Sequence, residues 1–572
     1  MTHFVELSAR GEGFREHHMA KDTNSSVAQE IVENTADNDI FETLGKLQVN
    51  DPLAITREDP LSFNLDDFVG ATFRGKPVVG LDVVIDKIDS GRADTVNGGV
   101  ITYGFLELSH LTGVYNNPNF GFTAGIGVSP FSADQRDAAR LAIGMWDELV
   151  APSFVEKNGR GADIQFANSY DPAQAYAYYP GDQGYKFQSD VFVADPAANW
   201  TNKWFDYGGY GNTTLVHELG HTLGLSHPGA YNFTPGQTLN YANNAEYAQD
   251  SNQYTIMSYW APGETGARTI NWSAFVNNFA QTPMLHDILT IQAKYGADLT
   301  TRAGDTVYGF HSTAGNAVFD FNLNPYPLLA IYDAGGIDTL DMSGFTAGVF
   351  INLNDGSFSS AGQGAPTLSA LNAERAELAV LQGGGFAPVS QATLTATFNS
   401  FQNANANSIA ADTGVTGVRA SEYQNISIAY GTIIENAIGT AQRDLLWGNE
   451  VSNNLSGGGG DDALYGFAGA DVLNGGAGAD VLNGGAGADR FDFSNIELGD
   501  RIADFVSGTD KVDLRGTGVD FSWIGGAAFS NTAGELRFAG GFLLGDVNGD
   551  GVADLSISLG SALMIQSDVL MV

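Results

Sequence analysis

The sequence contains no cysteine. Disulfides, thiolate metal sites, cysteine nucleophiles and thiol-based redox switching are therefore excluded. Absent cysteine does not fix the compartment, but a secreted protein without disulfides would need some other staple. Basic residues are also scarce: 26 Lys and Arg face 66 Asp and Glu, a net charge of −40. Nucleic acid demands Lys and Arg for its phosphates, and anionic lipid attracts the same residues, so neither is an expected partner. A chain this acidic repels itself unless something neutralises it, and carboxylates are natural ligands for hard divalent cations. No run of 18 apolar residues occurs, so no transmembrane helix is expected. The N-terminus, Met-Thr-His-Phe-Val-Glu-Leu-Ser-Ala-Arg, lacks the apolar stretch of a cleavable signal peptide.

What is present is uneven. A length of 572 residues suggests about three or four units. The hydrophobic share of 43% permits a sizeable core, and 72 Gly is about twice the usual share. Residues 1–75 are polar and acidic, with a partly helical pattern at 25–42. From Lys76 the texture is globular. The pattern predicts a helix over 81–88, strands at 100–106, 162–166 and 175–179, and a helix capped by Ser132 with Gln135 three residues on. In that helix Ala138, Leu141, Ala142, Met145, Trp146 and Leu149 form the apolar stripe. Further helices are expected at 213–223 and 283–295. After about Leu299 helical periodicity gives way to short β-like runs, interrupted at 363–424 by an Ala-rich, partly helical stretch.

His217 and His221 stand at i and i+4, on one face of a helix, where both imidazoles can grip a single ion. Glu218 lies beside them, placed to reach a water on that ion. Gly224 allows the chain to turn, because glycine enters a left-handed conformation cheaply, and His227 follows three residues later. Three protein ligands leave a position open for water, the mark of a catalytic zinc.

At these residues the chain resembles the metzincins, whose signature is His217-Glu-x-x-His221-x-x-Gly-x-x-His227. Ser226-His227-Pro228-Gly229 resembles the serralysin branch, and Thr255-Ile-Met-Ser-Tyr-Trp260 resembles its Met-turn. The resemblance implies that Met257 forms an apolar floor under the ligands. It implies that Tyr259 is a further zinc ligand, able to swing away and stabilise the oxyanion. It also implies that the strand at 175–179 pairs with extended substrate, and that residues 1–75 form a propeptide. His286 and His311 lie outside the motif and read as structural.

A nine-residue repeat then sets the texture: Gly457 begins GGGGDDALY, GFAGADVLN, GGAGADVLN and GGAGADRFD, ending at Asp492, with two weaker copies from Gly439. The pattern GGxGxDxUx is that of a calcium-binding parallel β-roll. Asp462, Asp471, Asp480 and Asp489 hold the aspartate slot, and Leu464, Leu473, Leu482 and Phe491 the inward apolar slot. Turn residues Gly457, Gly459, Gly475 and Gly484 join these aspartates as expected calcium ligands. By resemblance, Arg302, Gly304, Thr306, Asp333, Gly335, Gly336, Asp338 and Glu435 hold another calcium. Asp546-Val-Asn-Gly-Asp-Gly551 reads either as a calcium loop without a distal Glu or as an Asx-rich turn. The ending Ser567-Asp-Val-Leu-Met-Val572 resembles those of type I secretion substrates.

The expected fold is an α+β metzincin-like catalytic domain, with a mixed sheet and helices, followed by an all-β parallel β-roll. The expected units are a propeptide-like segment at 1–75, a catalytic domain at 76–299, and a roll at 300–492 with repeats at 439–492 and an insertion at 363–424. A C-terminal β region with a secretion signal follows at 493–572. The expected activity is that of an extracellular, monomeric zinc endopeptidase carrying one catalytic zinc and several structural calcium ions. Its expected partners are protein substrates and a type I secretion apparatus. An alternative is a calcium-binding surface or adhesion protein with a vestigial zinc site; a zinc hydrolase of non-peptide substrates is a third.

Overall fold

The computed structural model describes residues 19–22, 64–94, 96, 98–107, 128–158, 161–169, 174–181, 189–232, 238–560 and 562–571. The helical pattern at 25–42 lies outside these residues. The first globular layer is one seven-stranded sheet. Its strands are β1 (Met19–Asp22), β2 (Val100–Phe105), β3 (Val128–Ser129), β4 (Ser153–Glu156), β5 (Ile164–Ser169), β6 (Ala175–Tyr178) and β7 (Val191–Ala194). They run in the order β1-β6-β7-β5-β2-β4, with β3 joined to β5. The centre is parallel, whereas β6 lies antiparallel to β7, and β1 antiparallel to β6.

Four helices of eight residues or more pack in this layer: α1 (Leu81–Ile88), α2 (Ala133–Asp147), α3 (Tyr210–Thr222) and α4 (Leu285–Tyr295). The expected capping box starts α2: Ser132 Oγ accepts from Gln135 N at 3.2 Å, and Gln135 Oε1 accepts from Ser132 N at 3.0 Å. Leu141, expected in the apolar stripe, is 52% exposed. The buried face of α2 centres on Ala139, Ala142 and Trp146, and at 100° per residue that turns Leu141 to the rim. Trp146 is fully buried and donates from Nε1 to the Val216 carbonyl at 3.0 Å, tying α2 to the helix that carries the histidines.

Residues 64–68, within the segment expected to be propeptide-like, pack against the rest of the molecule. Asn64 caps a short 3-10 helix, Leu65–Phe68, in which Leu65 and Asp66 are buried. Asp66 Oδ2 lies 2.9 Å from His286 Nε2 on α4 and accepts from the Tyr430 hydroxyl at 2.6 Å. Asp66 Oδ1 accepts from Gln249 at 2.9 Å. Burial alone would raise this carboxyl; the charge and hydrogen bond of His286, with those of Tyr430 and Gln249, outweigh it and hold it below the ordinary range. One side chain thus clasps the start of the body to both halves of the molecule.

Beyond residue 300 the chain coils between two facing parallel sheets. One holds Thr339–Asp341, Asn436–Ile438, Asn454–Gly459, Val472–Ala477, Arg490–Asp492 and Lys511–Asp513; the other holds Phe350–Asn352, Leu445–Trp447, Ala463–Tyr465, Val481–Asn483 and Leu498–Ile502. Successive nonads alternate between the sheets. Leu455, Leu473 and Phe491 therefore stack in one column, and Leu446, Leu464 and Leu482 in the other. All six are fully buried, each Leu contributing about 1.5–3 kcal/mol relative to exposure. A single buried cluster continues from Val84 and Trp146 through Ile288 and Leu329 into these columns.

The 363–424 stretch forms two helices, α5 (Leu368–Gln382) and α6 (Gln391–Thr413), each closed by a left-handed glycine, Gly383 and Gly414. They return to the first layer. Leu371, Leu394, Phe398 and Phe401 bury Trp272 and Phe275. Trp272 Nε1 donates to the buried Glu422 at 2.7 Å, and Arg375 donates to the Ala274 carbonyl at 2.9 Å.

Candidate metal centres

Helix α3 delivers His217 and His221, and the turn after it delivers His227. Gly224 has φ +89, and a Cβ there would lie 2.0 Å from the Arg92 carbonyl, so conformation and space both require glycine. Each imidazole is pinned through Nδ1: His217 to the Ile256 carbonyl at 2.7 Å, His221 to that of Leu225 at 2.7 Å, His227 to that of Tyr231 at 3.0 Å. A carbonyl only accepts, so the proton sits on Nδ1 and the Nε2 lone pair points inward. The three inner nitrogens converge, His221 to His227 at 3.2 Å and His227 to His217 at 3.3 Å. Tetrahedral ligands held about 2.0–2.1 Å from one zinc lie roughly 3.3–3.4 Å apart, so the donor set fits that ion. Burial pushes His217 down to about 4 and His227 to about 3, and takes His221 well below its ordinary value, which keeps all three rings neutral.

Glu218 is fully buried beside this triad. Burial first, and the charge of Glu218 second, push the Tyr179 phenol up to about 12. The Tyr179 ring meets His221 edge-on at 5.5 Å. Tyr259 lies against His227, ring centres 4.4 Å apart, and 6.2 Å from His217. Met257 lies under α3, fully buried: a Cβ on Gly220 would come within 2.4 Å of its sulfur. Every residue expected at this centre is thus brought to one place.

Two buried carboxylates that the sequence did not single out hold the turn beneath. Asp287 accepts from Thr255 Oγ1 at 2.5 Å, Ile256 N at 2.6 Å and Met284 N at 2.8 Å. Ile256 is the residue whose carbonyl orients His217. Asp250 accepts from Tyr231 and Ser258 at 2.8 and 2.6 Å, and from Trp260 Nε1 at 3.0 Å. Tyr231 stacks on His227 at 5.5 Å. Burial raises both carboxyls to about 6. Only Asp287 carries a sequence signal, as an acidic residue in the first turn of a helix; Asp250 carries none.

The second set of centres lies in the roll. The repeat aspartates form two ladders. Asp480 Oδ1 accepts from Asp462 N at 2.8 Å, and Asp462 Oδ1 from Asp444 N at 2.8 Å. Asp489 Oδ1 accepts from Asp471 N at 3.0 Å. One oxygen therefore secures the preceding coil. The other oxygen, Oδ2 of Asp462 and Asp471, is buried with no protein partner. Such an orphaned acceptor is costly unless a cation meets it. The first glycine of each nonad has no room for a side chain; at Gly475 a Cβ would lie 2.0 Å from Asp480 Oδ2, and at Gly457 2.3 Å from Asp462 Oδ2. Gly459 ends the strand Asn454–Gly459, opposite Ala477, and at Gly484 a Cβ would lie 2.3 Å from Asp489 Oδ2. The ladders outrun the repeat: Asp500 Oδ1 accepts from Asp480 N at 3.1 Å and Asp510 Oδ1 from Asp489 N at 3.2 Å. Asp480, Glu497 and Asp500 bring one oxygen each within 4.8 Å. Glu497 and Asp500 were missed because the spacing lengthens beyond the repeat.

The set at 302–435 also assembles. Asp338 Oδ1 accepts from Thr306 N at 2.7 Å, Asp333 Oδ1 from Gly335 N at 2.7 Å, and Glu435 Oε2 from Asp338 N at 2.7 Å. Thr306 Oγ1 donates to the Gly304 carbonyl at 2.8 Å, and a Cβ on Gly336 would press on Gly304. Asp338 Oδ2 is buried without a partner. The Arg302 side chain turns away to Glu148 and the Tyr332 carbonyl, both at 2.8 Å, leaving only its backbone for an ion. His286 is spent on the Asp66 clasp, and His311 stands exposed 2.9 Å from Asp341. In the loop at 546–551, Asp546 accepts from the amides of Gly549 and Gly551.

Known proteins show the family. The family described as Peptidase M10 serralysin C terminal matches residues 297–387 and 394–540. The metallopeptidase AprA of Pseudomonas marginalis is 34% identical over 524 residues, 88% of this chain and 94% of that protein. The metalloprotease AprA of Pseudomonas entomophila is 34% identical over 78% of this chain and 79% of its own length. Serralysin of Proteus mirabilis is 36% identical over 67% and 69%. With likeness of that extent running through both halves, this chain belongs to the serralysin-type metallopeptidases.

Proposed function

We propose that the chain is a secreted, zinc-dependent endopeptidase, with residues 76–299 forming a metzincin-type catalytic unit. One observation carries the reading: three neutral imidazoles, each fixed at Nδ1, converge through Nε2 beside a buried glutamate. His217, His221 and His227 are the zinc ligands in this reading, and Tyr259 an additional one. A zinc ion held there would supply a Lewis acid for the scissile carbonyl and would lower the pKa of a bound water to about 7. Glu218 takes the proton of the attacking water and passes it to the leaving amine nitrogen. The Tyr259 phenol, beside His227, is the donor assigned to the developing oxyanion. Extended substrate pairs with the outer edge of β6, a mode that gives affinity through the backbone with little sequence preference.

Calcium is assigned to the roll. The orphaned oxygens of Asp338, Asp462, Asp471 and Asp500 support this. Bound calcium takes the place of disulfides as the staple, and folding that waits for calcium suits export of an unfolded chain. Among the described residues no helix is long and apolar enough to cross a membrane.

The test is casein hydrolysis by full-length protein in calcium and trace zinc, wild type beside Glu218→Ala, with and without a zinc chelator. Activity confined to untreated wild type is the expected outcome. Equal hydrolysis by the variant removes Glu218 from its role. Hydrolysis by neither, with the roll folded in calcium, moves the assignment toward a calcium-binding surface protein.

A further inference from the structure

Arg92 stands where two elements that frame the triad meet. The segment before it is strapped to the turn between His221 and His227. Ser90 donates from N and from Oγ to the Gly224 carbonyl at 3.0 and 2.6 Å, and Ser226 N donates to the Ile88 carbonyl at 2.6 Å. The Arg92 carbonyl lies 2.0 Å from where Gly224 would carry a Cβ. On its other side the segment meets the turn after β6, where a Cβ on Gly181 would lie 3.9 Å from the Ala93 carbonyl. Backbone contacts on both sides therefore fix where the Arg92 side chain starts, and the residue is half-buried. Tyr179 lies between the same two elements. It follows β6, shares the side of Ala175 and Ala177, and meets His221 edge-on at 5.5 Å. Its phenol feels the charges of both Glu218 and Arg92. Lys294, a cation of the same corner, is tied to Asp89 Oδ1 at 2.5 Å and to the Arg92 carbonyl at 2.6 Å.

We infer that Arg92 and Tyr179 form a subsite for an acidic substrate side chain close to the scissile bond, on the His221 side of the centre. The inference rests on the proposed peptidase reading. A guanidinium presents a planar fork of N–H donors and no acceptor, and a carboxylate matches that fork. The phenol adds an O–H donor. Backbone pairing along β6 carries little sequence preference, so a charged subsite at its end supplies what the strand does not. With 66 acidic residues against 26 basic ones, the molecule as a whole repels acidic polypeptides. The subsite therefore selects a register along a chain: neutral or basic substrates are cut beside an isolated Asp or Glu.

The test maps the cleavage sites of full-length protein, in calcium and trace zinc, in a mixed peptide library by mass spectrometry. Asp or Glu should be enriched at one position within about two residues of the scissile bond. A peptide carrying Asp there should exceed its Asn counterpart at least about 10-fold in kcat/KM. The ratio of the two peptides is the readout, so a general loss of activity does not imitate the effect. Arg92→Gln should bring the ratio to about 1, Arg92→Lys should keep part of it, and Arg92→Glu should turn the preference toward Lys and Arg. Tyr179→Phe should lower the ratio without reversing it. In wild type the ratio should fall as salt is added, a readout that needs no variant to fold. If wild type shows no acidic preference, or the preference survives Arg92→Glu, the inference is wrong. The peptidase reading fails separately, when wild type hydrolyses nothing. The subsite is then read by binding: peptides retained on immobilised Glu218→Ala should be enriched in Asp and Glu, and adding Arg92→Glu should abolish that. Retention without enrichment overturns the inference whatever the activity.

Discussion

The two halves of the molecule present the ligands proposed for their ions by opposite strategies. At the triad, three different carbonyls orient three imidazoles, and Asp287 and Asp250 fix the turns behind them. The roll uses one device many times, an aspartate with one oxygen bonded to the neighbouring coil and the other left for a cation. The first arrangement is preorganised by protein alone, so its geometry should survive loss of the ion. The second is a column of buried carboxylates that repel one another, so its geometry depends on the ion. That difference predicts unequal responses.

The largest expected effect is calcium removal. Chelation with EGTA should abolish the roll's β circular dichroism and its separate melting transition, because binding and folding free energies are the same quantity there. A roll that keeps its melting temperature without calcium would erase the contrast. Next comes Glu218→Ala, with kcat expected to fall about 10²–10⁴-fold and the melting temperature to stay put, since only proton transfer is lost. Trp272→Ala should cost about 3–5 kcal/mol in denaturant unfolding, because it opens the contact with α5 and α6 and leaves Glu422 short of a donor. A cost below about 1 kcal/mol would mean that the two helices are not part of the core.

Asp287→Ala should lower zinc affinity about 10–100-fold, measured by competition with a chromogenic chelator, as expected when support behind a ligand is lost. An unchanged affinity would separate Asp287 from the metal centre. The smallest effect is a slope. Burial holds Asp462 up to about 9, Asp471 and Asp500 to about 7 and Asp480 to about 6. Unfolded, these groups ionise near about pH 4. Their folded pKa values are raised, so in the absence of calcium the stabilising proton uptake is full below about pH 4 and is lost as pH rises through about 6–9. Calcium should flatten or reverse that slope in a melting series, because it binds the ionised form.

Much was legible in advance because it is local. A spacing of four puts His217 and His221 on one helical face whatever surrounds them, and a period of nine in glycine and aspartate puts equivalent residues at equivalent places in successive coils. The expected helices at 81–88 and 283–295 are found, at Leu81–Ile88 and Leu285–Tyr295, and the strand at 175–179 as Ala175–Tyr178. The failures are equally physical. Leu141 left the buried face because the tertiary contact of Trp146 chose how α2 is rotated. The packing of Leu65–Phe68 was not legible, because Asp66 is held by partners more than 180 residues away in sequence.

The sequence by itself determined which side chains are the candidate ligands: three histidines beside a glutamate, and the repeated aspartates. Tertiary structure alone decided how those ligands are aimed, through carbonyls of Ile256, Leu225 and Tyr231 and the carboxylates of Asp287 and Asp250. It also decided that residues 368–413 cover Trp272, and that residues 19–22 lie on β6. The reason is common to all of these: periodicity fixes what neighbours along the chain share, whereas hydrogen bonds across long loops depend on which surfaces meet when the core closes.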